Sequence, residues 1–77
     1  MKKINFYIGI WPISEHHFWD TIHNLNEGDS DTKFEAVVVS KHDNPDGHLT
    51  FTVRGTKDAY NCFLTDPYVK SIEQFKE

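Results

Sequence analysis

The tetrapeptide Asn44-Pro45-Asp46-Gly47, set between the apolar runs at residues 34–39 and 49–53, decides the fold of this chain. Proline at the second position of a turn pre-sets its φ angle, aspartate tolerates the third, and glycine supplies the left-handed conformation that closes a bulged hairpin. The flanking runs, rich in Val, Phe and Thr, suit strands. The reading is therefore a β-hairpin, with a second strand over residues 33–41 and a third over residues 48–55.

Upstream, residues 3–11 alternate, with Ile4, Phe6, Ile8 and Ile10 on one face and Asn5, Tyr7, Gly9 and Trp11 on the other. That period of two predicts a first strand with one face committed to a core. Pro12 ends it, and Ser14 stands where a helix N-cap belongs, with Glu15 in the first turn. Phe18, Ile22 and Leu25 then recur at helical spacing until Gly28, which predicts a helix over residues 15–27.

Downstream, Thr56 is placed to cap a short helix over residues 57–64. Pro67 interrupts it and suits the first position of a further helix capped by Asp66. That last helix, over residues 67–76, is expected to turn Tyr68, Ile72 and Phe75 inward.

The expected fold class is α+β in the order β-α-β-β-α, with a three-stranded mixed or antiparallel sheet and helices on one face. In element order this resembles a ferredoxin-like fold lacking its last strand, and such a resemblance implies no function. A right-handed crossover places the third strand between the first two, antiparallel to both. The opposite sheet face is then open, and the outer edge of the first strand is free.

Hairpin register decides what the second strand shows. If Asn44 pairs with His48, Val37 and Val39 share the core face with Leu49, Phe51 and Val53, while Phe34, Ala36 and Val38 lie outside with Thr50, Thr52 and Arg54. A slip of one residue exchanges the two sets of the second strand. In either register aliphatic side chains stand beside Tyr7 and Trp11 on the open face.

The chain has 77 residues, read as a single domain over 1–77. A domain this small buries only about 60% of the surface its unfolded chain exposes. Six Phe, three Tyr and two Trp supply large buried areas from few positions. A lone Cys62 forms no internal disulfide and fits a reducing compartment, so the expected location is cytoplasmic. The N-terminal apolar run is broken by Asn5 and lacks a small-residue cleavage site, and no run approaches the length of a membrane span. Eight basic and twelve acidic side chains leave a net charge of −4, scattered along the chain, which opposes binding to phosphate backbones.

His16, Asp20 and His23 share one face of the first helix, a spacing that suits a transition metal. One helix alone supplies no closing ligand and no outer partners for the imidazoles, so a solvated polar face is the preferred reading and no metal is expected. His42 and His48 flank the hairpin turn beside Asp43 and Asp46, as polar turn tips do. No sequence neighbour of Cys62 favours its thiolate, and the isolated glycines form no phosphate-binding loop, so neither catalysis nor a cofactor is expected. Tyr7 and Trp11 could stack bases, but Arg54 is the only cation placed beside them, and nucleic-acid binding is not expected. Trp19 lies at the edge of the helix's apolar stripe, either closing the core rim or extending an aromatic patch.

The functional expectation is a non-enzymatic protein–protein interaction module that pairs with another protein or with itself through the open sheet face or the first-strand edge. The residues assigned to that contact are Tyr7, Trp11, Trp19 and Arg54. In size and style the chain resembles small inhibitors or adaptors encoded by phages and other mobile elements. The alternative is a small-ligand or metal-dependent enzyme assembled at a dimer interface, as in many ferredoxin-like dimers.

Overall fold

Gly47 adopts φ +95°, and around it the hairpin closes with Gly47 N–H donating to the Asn44 carbonyl at 2.9 Å and Asn44 N–H to the His48 carbonyl at 3.0 Å. This comes from a computed structural model that describes residues 2–27 and 34–75. The elements are β1 (Lys3–Ile10), a 3-10 turn (Pro12–Ser14), α1 (Glu15–Glu27), β2 (Ala36–Asp43), β3 (Leu49–Thr56), α2 (Lys57–Leu64) and β4 (Ser71–Phe75). They form a small α+β fold with a four-stranded antiparallel sheet in the order β2-β3-β1-β4. As expected, β3 lies between β1 and β2 and antiparallel to both. The expected glycine stop at Gly28 and the start of the second strand at Lys33 lie outside the described residues.

Register in the hairpin follows neither simple alternative. Asn44 pairs with His48, and the ladder continues through His42 opposite Thr50 and Ser40 opposite Thr52. It then shifts between Val38 and Ser40, so that Val38 faces Val53 and Ala36 faces Gly55. The extra residue, Val39, is a β-bulge that switches strand faces. Near the turn Lys41 lies on the helix side and reaches Glu15 at 3.1 Å. Beyond the bulge Ala36, fully buried, and Val38 join the core from that side. Of the two alternatives, the one that sets Val37 and Val39 in the core and Ala36 and Val38 outside is thus corrected, since both Val37 and Val39 are exposed. Unbulged, the same turn would have presented Val37 and Val39 rather than Ala36 and Val38 to the core.

The expected final helix is also corrected. Asp66 ends α2 with its N–H on the Phe63 carbonyl at 3.1 Å, and its own carbonyl accepts Val69 N–H at 3.2 Å. Asp66 Oδ1 takes Tyr68 N–H at 2.9 Å, so Pro67 occupies the second position of a β-turn instead of starting a helix. Lys70 N–H then bonds the Gly9 carbonyl at 2.7 Å, and residues 71–75 run along β1 as a fourth strand. Tyr68, Ile72 and Phe75 recur at helical spacing, but tertiary pairing outweighs that local preference because it satisfies the backbone groups along β1. β1 is central, and the first-strand edge named as a contact is covered.

Both helices pack on one face. Phe18 of α1 stacks on Phe51 at 4.2 Å between ring centroids, and Phe63 of α2 lies 5.7 Å from Phe18 and 6.4 Å from Phe6. Thr56 caps α2 by accepting the Ala59 N–H, and its hydroxyl also accepts the Glu35 N–H. Ser14, expected as the α1 cap, instead ends the 3-10 turn that leads into the helix. At the far end of α1, Asn26 accepts the Ala36 N–H and donates to the Ala36 carbonyl, at 3.0 and 2.8 Å. A helix side chain thereby occupies backbone groups at the start of β2, where an edge strand would otherwise present them.

Candidate functional site

Pleating sends alternate residues of each strand to the face that the helices leave open. The registers align them in rows across the sheet. One row runs Val37, Arg54, Asn5, Phe75; the next Ser40, Thr52, Tyr7, Glu73; the third His42, Thr50, Gly9, Ser71. The last row has glycine at its centre, and a Cβ at Gly9 would collide with Ser71 Oγ.

Over that row the face sinks into a concavity of about 400 Å³. Its walls are Tyr7, Glu73, Ser71 and Ile72 from β1 and β4, and His42, Asn44, Thr50 and Thr52 from the hairpin. Phe75 covers one face of the Tyr7 ring, with centroids 4.2 Å apart and planes 14° from parallel. Asn44 Nδ2 donates to the His48 carbonyl at 3.1 Å and to Thr50 Oγ1 at 2.8 Å. Among the described residues, the Asn44 carboxamide oxygen and the Thr50 hydroxyl hydrogen have no hydrogen-bond partner.

Of the residues assigned from sequence, Tyr7 and Arg54 share this face in adjacent rows. Trp11 continues the alternation beyond β1, edge-on to His48 at 6.0 Å with the Lys70 ammonium 5.4 Å from its ring centroid. Trp19 is placed across the sheet. It packs edge-on to Phe51 and Phe18, and its indole N–H donates to Glu15 Oε2 at 3.1 Å, so it closes the core rim. Sequence reasoning missed Ser71, Glu73 and Phe75, because a helix over residues 67–76 scatters them. Their alternation with Ile72 was the available signal.

The polar clusters settle into pairs. His16 lies 3.3 Å from Asp20, His23 pairs with Glu27, and His17 Nε2 meets Asp66 Oδ2 at 2.8 Å. Among the described residues no three His, Cys, Asp or Glu side chains are grouped to hold a metal ion. At the turn, Asp46 accepts both the backbone N–H and the imidazole Nδ1 of His48, and those hydrogen bonds hold its carboxyl below the ordinary value. Glu15 is likewise lowered, by its hydrogen bonds from Trp19 and Lys41. Partial burial raises the Cys62 thiol, aided by the charge of Asp58, which disfavours a reactive thiolate. Among the described residues, no helix is long and apolar enough to cross a membrane.

Comparison of this chain with protein-family models, with curated proteins and with solved structures found no match.

Proposed function

We propose that this protein is a binding module that engages a partner protein through the open face of its sheet. The observation that carries the reading is that the face joins half-exposed aromatic side chains, Tyr7 and Trp11 at 40% and 44%, to a concavity bordered by hydroxyl, amide and carboxylate side chains on a four-stranded base. Aromatic side chains on fixed backbone anchor interfaces at small entropic cost, and surrounding hydroxyl and amide groups fix orientation. The net charge of −4 repels a second copy at long range and favours a basic partner over self-association.

The open four-stranded antiparallel sheet supports this use, since one of its faces is left without helices. An inhibitor or adaptor of the kind phages encode remains the reading of choice for so small a module. A small-ligand site is the second reading, favoured by the volume of the concavity, which lies within the range of ligand pockets.

The test is capture of partners by the wild-type chain, followed by calorimetric titration of the purified partner. Tyr7→Ala and Trp11→Ala are expected to weaken binding at least about tenfold, with His16→Ala, on the helix side, unchanged. Equal binding by all three variants, or association only between copies of this chain, overturns the reading.

A further inference from the structure

Glu73 stands directly opposite Tyr7 in the β1–β4 ladder, a relation that brings cross-strand Cβ atoms within roughly 4.5–5.5 Å. Glu73 lines the concavity, whose walls, among the described residues, contain no lysine or arginine. Among the described residues, four cations are engaged elsewhere: Lys3 on Glu35, Lys41 on Glu15, Lys57 over Tyr60 and Lys70 over Trp11. Arg54 sits in the row of Phe75, outside the concavity. Among the described residues, a carboxylate without a cation thus stands beside an aromatic ring that is stacked on one side by Phe75.

Resting on the binding-module reading, we propose that this concavity receives an arginine side chain of the partner protein, its guanidinium stacked on the Tyr7 ring and paired with the Glu73 carboxylate. Guanidinium is a group whose chemistry uses both the aromatic ring and the carboxylate. It is planar, so it stacks on an aromatic face, and its forked N–H groups bind a carboxylate in two places at once. Its remaining N–H groups need acceptors, and Thr52, Ser71 and Asn44, residues of the walls, carry hydroxyl and carboxamide oxygens. An ammonium would satisfy Glu73 but has no plane to lay on Tyr7. The protein's overall negative charge draws a basic segment toward the site.

The test uses the 15N-labelled full chain titrated with acetyl-Gly-Arg-Gly-amide, with the same tripeptide carrying citrulline, and with one carrying glutamate. Citrulline keeps the planar shape and removes the charge. Saturable shifts are expected at the amides of Gly9, Thr50 and Ser71, with arginine at least about tenfold tighter than citrulline and glutamate weakest. Glu73→Gln should bring the arginine peptide down to the citrulline level, and because Glu73 is exposed this variant folds, as its unfolding curve will verify. Equal binding of arginine and citrulline, no binding of either, or an unchanged affinity in Glu73→Gln overturns the proposal. If that happens while Tyr7→Ala still weakens the captured partner, the concavity does not read arginine and the binding-module reading stands.

Discussion

Phe75 lies nearly parallel to Tyr7, 4.2 Å between ring centroids, and so ties the last strand to the first on the face that carries no helix. The contact serves two purposes. It anchors a strand of only five residues, and it packs against the Tyr7 ring beside the concavity. Phe75→Ala is expected to cost about 1 kcal/mol and to lower amide protection selectively in residues 71–75. Hydrogen exchange followed by NMR reads both, and uniform protection in the variant would contradict this role for the ring.

Gly55 meets β2 where no side chain fits. A Cβ there would stand 2.5 Å from the Glu35 carbonyl oxygen and 3.1 Å from Ala36 Cα, both backbone atoms. Gly55→Ala must push the strands apart at the start of β2, at a cost of about 1–3 kcal/mol in urea unfolding. A variant as stable as wild type would show that the strands are not held that closely.

Gly47 gives a different kind of prediction, because the space around it is open and only its backbone angle of +95° excludes other residues. Gly47→Val should destabilise by about 1–3 kcal/mol through strain at positive φ. Gly47→Asn should cost less, since asparagine tolerates that region. Denaturation midpoints of the two variants side by side check the order.

These glycines mark how much of the fold was legible in the sequence. The turn, α1, α2 with its Thr56 cap, and the core side of β1 followed from local chemistry and periodicity, which act within a few residues. Two features did not. The bulge at Val39 depends on what lies beneath β2, Ala36 and Val38 over the core at one end and Lys41 beside Glu15 at the other. The strand at residues 71–75 depends on the backbone of β1 needing a partner, which outweighs the helical spacing of Tyr68, Ile72 and Phe75. Of the site, Tyr7, Trp11 and Arg54 were visible through alternation in β1 and β3. Glu73 and Ser71 were not, because their place on the face exists only once β4 pairs.

Acid should expose the two depressed carboxylates. The carboxyls of Glu15 and Asp46 lie below their ordinary values of 4.5 and 3.8 in the folded chain, so the folded state releases their protons more readily than the unfolded one. Their contribution is fully present above those ordinary values and is lost as pH falls through the depressed ones. Glu15→Gln should therefore reduce stability at neutral pH and converge with wild type in acid. Urea titrations of both proteins across that range measure the difference. A gap that widens on acidification would contradict the hydrogen bonds assigned to Glu15.

The most direct test of the open-face account is amide chemical-shift mapping of the 15N-labelled chain bound to its captured partner. The account predicts that the largest changes fall at Tyr7, Gly9, Thr50, Thr52, Ser71 and Glu73, and that the outward residues of α1, His16 and Asp20 among them, stay unchanged. Shifts concentrated on α1 and around Trp19, with β1 and β4 silent, would place the contact on the helical side and contradict it.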